Sequence, residues 1–167
     1  GYYLRKMVDE GHNVITESGS VQPLTIVRYG EVLLNKAEAC YHLTETAAAN
    51  EAVRAIRSRV GLPYTDKSSS DLWEAIRQER KVELAYEGLW YWDLRRWGVA
   101  HKQYPEGLSG YQLHGLKIEK TGEGEFTYNY VSVDDKDRNF LEKMYRFPLP
   151  SSELTSNSLV NQFPEWN

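Results

Sequence analysis

The amino-acid sequence predicts a mainly α fold, with a tetratricopeptide-like helical hairpin, further helices, a small β-hairpin and an irregular C-terminal segment. Apolar residues recur at spacings of three or four between residues 24 and 98, which is the pattern of amphipathic helices. Glycines then interrupt the chain between residues 107 and 124, so long helices end there. Two short runs within residues 116–133 are typical of strands that flank a glycine-containing turn.

The helical hairpin is predicted over residues 24–59. Its first helix, residues 24–43, carries one apolar stripe made of Ile26, Tyr29, Leu33, Ala37, Cys40 and Leu43. Its second helix, residues 47–59, carries a second stripe made of Ala49, Ala52, Val53, Ile56 and Val60. Gly61 stands where a left-handed C-cap is expected, and Pro63 prevents the helix from continuing. The length of the hairpin is close to that of the ~34-residue tetratricopeptide unit, and the chain shows one clear copy.

A third helix is predicted over residues 72–87. Asp71 and Glu74 form an N-terminal pair that resembles a capping box, and Gly88 ends the helix. A short, strongly aromatic helical segment follows over residues 89–97 and stops at Gly98.

The β-hairpin is predicted from Leu116–Lys120 and Glu125–Val133, which flank the turn Thr121–Gly124. In the C-terminal segment, residues 147–150 are expected to be extended and residues 151–154 to form one helical turn.

Composition indicates an ordinary globular chain. Of its 167 residues, 41% are hydrophobic and 26% are charged, which predicts a single domain over residues 1–167. Within it we expect a helical part at 24–98, a loop and β-hairpin at 101–133 and an irregular tail at 134–167. The net charge of -4 disfavours a nucleic-acid partner, because binding to phosphates needs a concentrated basic surface. The chain begins with Gly rather than Met, so we expect it to be a portion of a longer polypeptide.

Three carboxylates lie at intervals of four residues on the predicted third helix. Like charges at this spacing repel each other, so such a row favours an ion-pair network with cations from other segments. The predicted structural network consists of Arg57, Arg59, Glu79, Arg80, Glu83 and Glu87. The alternative interpretation is a glycoside hydrolase that uses Glu79 and Glu83 as its two carboxylates.

Other catalytic and metal-binding patterns are weak. Glu38 and His42 are one residue too far apart for the Glu-x-x-His motif of a di-iron bundle. Cys40, the single cysteine, belongs to an apolar stripe and cannot form an internal disulfide. The sequence therefore predicts no catalytic residue, no metal and no cofactor.

Aromatic residues are the remaining candidates for ligand binding. Trp90, Trp92 and Trp97 are expected to belong to the core, although aromatic faces also stack on sugars. Phe126, Tyr128 and Tyr130 share one face of the second strand by its period of two, and we expect that face to be buried. The loop His101–Gly115 has the aromatic side chains least committed to packing, so the predicted ligand-binding residues are Tyr104, Tyr111 and His114.

Five segments, in this order, resemble the successive signatures of the SusD/RagB family. They are YGEVLLNKAEA at 29–39, IRSRVGLP at 56–63, IRQERKVELAYEG at 76–88, DLRRWG at 93–98 and YRFPLPSSEL at 145–154. The opening GYYLRK is also typical of the family. Together they cover nearly the whole chain in the expected order, which makes the resemblance specific.

The resemblance implies the C-terminal portion of an outer-membrane lipoprotein on the cell surface of a Gram-negative bacterium. Such proteins are mostly helical, are not enzymes, and capture a glycan, an oligosaccharide or another nutrient. They cover a SusC-like TonB-dependent transporter, and their only membrane attachment is a lipidated cysteine near the N-terminus. That cysteine cannot be Cys40, which lies within a helical pattern, so the implied anchor is upstream of this chain. Two alternatives stay open: a tetratricopeptide-like peptide-binding adaptor and the glycoside hydrolase.

Overall fold

The computed structural model describes residues 4–13, 15–16, 19–20, 22–23, 25–103, 114–133 and 139–167. These residues form two compact units, which we call the helical unit (residues 4–90) and the C-terminal unit (residues 91–167). The fold is mainly α with a small two-stranded antiparallel sheet, so the predicted fold class is confirmed.

The helical unit contains three helices: α1 (Tyr29–His42), α2 (Thr46–Arg59) and α3 (Ser69–Glu83). Residues 43–45 join α1 to α2, and α1 also packs against α3. The three helices bury a larger cluster made of Ala37, Cys40, Ala49, Ala52, Val53, Leu72 and Ile76. A smaller cluster contains Leu34, Ile56 and Leu84. Gly61 follows α2 with a φ of 70°, which confirms the predicted left-handed end of this helix.

Helix α1 starts later than predicted, at Tyr29 rather than near residue 24. Arg28 is extended, and its side chain binds the carboxylate of Glu83, the last residue of α3, and that of Glu87 in the following turn. Ile26 consequently lies outside the helix and is 86% exposed. The buried face of α1 is made of Leu34, Ala37 and Cys40, so the predicted stripe was wrong at Tyr29 and Leu43, which are exposed.

Helix α3 is displaced toward the N-terminus relative to the prediction. It begins at Ser69, so Asp71 lies in the first turn, where its charge favours the helix dipole, rather than at the cap. It ends at Glu83, and the ammonium group of Lys6 donates hydrogen bonds to the carbonyl oxygens of Glu83 and Ala85 at this end, at 2.8 and 2.9 Å. Glu87 therefore lies in the turn after α3 and not on the helix, as the sequence had predicted.

The C-terminal unit contains short elements. They are α4 (Trp90–Arg96, whose first residue belongs to the helical unit), α5 (Ala100–Gln103), β1 (His114–Lys120), β2 (Phe126–Ser132), a 3-10 turn (Glu142–Tyr145), α6 (Ser151–Ser156) and a second 3-10 turn (Pro164–Trp166). Leu94, Ala100 and Phe140 are buried in this unit. Trp92 is exposed on α4, so its predicted place in the core was wrong. A seven-residue helix has room for few buried positions, and Asp93 and Leu94 occupy them.

Arg95 ties α4 to the segment around the first 3-10 turn. Its guanidinium donates hydrogen bonds to the carbonyl oxygens of Met144 and Tyr145, at 2.6 and 2.7 Å. The same group lies 4.5 Å from the ring centroid of Phe147 and 5.4 Å from that of Phe140. Arg95 therefore combines two charge-assisted hydrogen bonds with contacts to aromatic faces.

Strands β1 and β2 form an antiparallel hairpin in which Leu116 pairs with Tyr130 and Ile118 with Tyr128. Gly124, with a φ of 78°, supplies the left-handed residue of the turn. All seven residues of β2 are exposed, so the prediction that one face of the hairpin is buried was wrong. The alternating sequence makes that face apolar, but burial requires an element that packs on it, and periodicity does not supply one.

Candidate functional site

The acidic cluster, which we define as Glu79, Glu83 and Glu87, lies along α3 and the turn that follows it. Two arginines from the last turn of α2 approach the first two carboxylates. Nη1 of Arg57 is 2.8 Å from Oε2 of Glu79, and Nη2 of Arg59 is 3.0 Å from Oε1 of Glu83. The structure thus brings together the residues that the sequence proposed as ion-pair partners in this part of the network.

Two cations that the sequence analysis missed complete the surroundings of the acidic cluster. Arg28 donates from Nε and Nη2 to the carboxylate of Glu87, and from Nη1 to that of Glu83. Lys6 forms a salt bridge with Glu87. Both cations are far from the acidic cluster in the sequence, and Arg28 lies within the segment that was predicted to be part of the first helix, so spacing rules did not pair them with these carboxylates. One signal for them was present in the sequence. Helix α2 supplies two arginines for three carboxylates, so at least one further cation was to be expected near the cluster.

The electrostatics around Glu87 favour its ionised form. Burial raises the pKa of Glu87, but the hydrogen bonds from Arg28 and Lys6 outweigh it, so the pKa of this carboxyl lies below its usual value. The hydrogen bond to Glu87 likewise raises the pKa of Arg28. A general acid of a glycosidase needs a raised pKa, and the environment of Glu87 acts in the opposite direction.

Arg80, the remaining member of the predicted network, belongs to α3, and its side chain is buried against α1. Its Nη1 donates to Oδ1 of Asn35 on α1 at 2.7 Å. This contact joins two helices through a charge-assisted hydrogen bond to a neutral amide, so Arg80 contributes to helix packing.

A cavity of about 340 Å³ lies beside Glu79. It is lined by Arg57, Pro63, Tyr64, Thr65, Lys67, Ala75, Gln78 and Glu79. Among these described residues Glu79 supplies the carboxylate, and its partner Arg57 lies in the same wall. The hydroxyl of Tyr64 donates to Oδ1 of Asn50 at 2.8 Å. Glu83 is not part of the lining, so the cavity does not present the carboxylate pair that the glycoside hydrolase alternative requires.

The described residues offer little that could bind a metal ion or act as a nucleophile. Among them, no group of three or more His, Cys, Asp and Glu side chains is arranged to hold a metal ion. Cys40 is buried in the core of the helical unit, and burial raises the pKa of its thiol. None of the helices among the described residues is both long and apolar enough to cross a bilayer.

The predicted ligand-binding residues are only partly described. Tyr104 and Tyr111 lie outside the described residues. His114 opens β1, is exposed, and pairs with Ser132 across the hairpin. The structure therefore places one of the three predicted residues, at the end of the β-hairpin.

That hairpin has two chemically different faces. Directly paired residues of an antiparallel sheet share a face, and successive residues alternate. One face, which we call the aromatic face, consists of Leu116, Ile118, Phe126, Tyr128 and Tyr130, with His114 and Lys120 at its ends. Lys117, Glu119, Thr127 and Asn129 belong to the opposite face, where Lys117 and Glu119 form a salt bridge at 2.8 Å. Phe126, Tyr128 and Tyr130 are 48%, 59% and 82% exposed.

Comparisons with known proteins converge on one family. The sequence model of the SusD family matches residues 1–166. A SusD-like protein P38 from Formosa agariphila is 32% identical over 97 residues, which are 51% of this chain and 19% of that protein. The crystal structure of a SusD-like protein from Bacteroides fragilis superposes with a TM-score of 0.64 and 33% identity, over 83% of this chain and 25% of that one. The chain thus spans about a quarter or less of the length of these two relatives.

Proposed function

The chain belongs to the SusD family, and from this premise we propose that it is the C-terminal portion of a bacterial cell-surface protein that binds a glycan or another nutrient without catalysis. The protein would deliver this ligand to a SusC-like TonB-dependent transporter of the outer membrane. The observation that carries the proposal is the match of the family model to residues 1–166. SusD-like relatives in sequence and in structure support it.

The geometry of the acidic cluster disfavours catalysis by these carboxylates. Glu79, Glu83 and Glu87 each accept hydrogen bonds from an arginine, and the contacts to Arg28 favour the ionised form of Glu87. A carboxylate that is fixed by cations has no proton to donate to a leaving group, and its lone pairs are engaged. We therefore propose that the cluster, together with Arg57, Arg59 and Arg80, is structural.

Location and organisation form part of the same proposal. Attachment to the outer membrane, on the cell-surface side, is proposed to depend on a lipid anchor upstream of this chain. We further propose that residues 1–167 belong to a single domain of the longer protein.

A peptide-binding adaptor is less well supported. A superhelical groove needs about three stacked tetratricopeptide-like hairpins. In the described part of the chain, α1 and α2 form one such hairpin.

The proposal is tested with the full-length protein and a panel of soluble polysaccharides that contains laminarin, xylan, pullulan and polygalacturonate. Affinity gel electrophoresis reports binding, and a reducing-end assay reports hydrolysis. We expect retarded migration with at least one polysaccharide and no release of reducing ends. Sustained release of reducing ends that disappears in Glu79→Gln would contradict the proposal and establish the hydrolase.

Delivery to a transporter needs a separate test. The full-length protein is purified from membranes of its native host after mild solubilisation. We expect a TonB-dependent transporter to co-purify with it in comparable amount. Purification of the protein without any such transporter would contradict this part of the proposal.

A further inference from the structure

No further inference is drawn: the strongest candidate, the aromatic face of the β-hairpin, carries none because nothing in the structure shows what covers it, and the chain spans about a quarter or less of the length of its relatives.

Discussion

Apolar side chains are buried in the helical unit but exposed in the β-hairpin of the C-terminal unit. In the helical unit, Leu34 and Ile76 are completely inaccessible to solvent because three helices close around them. In the hairpin, Tyr130 is 82% exposed although it belongs to an equally regular pattern. An amphipathic pattern therefore sets the composition of a face, whereas burial depends on whether another element packs against it.

Charged groups show the same contrast. The carboxylates of Glu83 and Glu87 are mostly buried, and cations from separate segments contact them. Lys117 and Glu119 of the hairpin pair with each other on an exposed strand, where such a pair contributes little to stability. The charged residues of the helical unit are therefore expected to contribute to the free energy of unfolding. Those of the hairpin are expected to contribute little.

The largest effect is expected from breaking the buried charge cluster. Arg28→Ala leaves Glu83 and Glu87 with fewer cations, and removal of one partner from a buried network costs ~3–5 kcal/mol. The melting temperature should fall by roughly 6–15 °C, as measured by circular dichroism. Glu83→Ala should act in the same direction. The control is Arg54→Ala, since Arg54 pairs with Asp66 on an exposed surface, and a shift no larger than that of the control would contradict the role of Arg28.

A smaller loss is expected at Arg95 in the C-terminal unit. Arg95→Lys keeps the charge but cannot donate to both carbonyl oxygens while contacting the ring of Phe147, so we expect a loss of about 2 kcal/mol. Urea unfolding measures it. Arg146→Lys is the comparison, because Arg146 also lies over a ring, that of Phe163, but is more exposed. Equal stability of the two variants would show that the carbonyl contacts of Arg95 are dispensable.

The pH dependence of stability provides a third test. The pKa of Glu87 is lower in the folded chain than in the unfolded one, so this group stabilises the fold above its unfolded pKa. That contribution is lost as the pH falls below the ordinary pKa of a glutamate and through the lower, folded pKa of Glu87. In Glu87→Gln the stability should therefore depend less on pH over this range. A wild type and a variant with parallel profiles in urea unfolding would contradict the contribution of this carboxylate.

The smallest effect on folding is expected from Tyr130→Ala. Because this ring is largely exposed, the free energy of unfolding should change by less than about 0.5 kcal/mol. Urea unfolding of the full-length protein checks this value. A loss above about 2 kcal/mol would show that the ring is buried in the full-length protein.

Local features of the fold could be predicted from the sequence because they depend on neighbouring residues. Gly61 ends α2 and Gly124 completes the turn of the β-hairpin, since both adopt positive φ values that favour glycine. The spacing of apolar residues predicted the helical hairpin, and the period of two placed Phe126, Tyr128 and Tyr130 on one face. The five segments that resemble the SusD/RagB family indicated the family as well.

Features that depend on residues far apart in the sequence could not be predicted from local patterns. Arg28 meets Glu83 across 55 residues and Lys6 meets the end of α3 across 77, and no spacing rule covers such separations. These contacts lie where α1 begins and where α3 ends, and both of these predicted boundaries were wrong. The exposure of the aromatic face was equally beyond the sequence. Alternation along a strand determines that the three rings lie on the same face. Whether that face is buried depends on which other segments pack against it, and the sequence of the strand does not determine this.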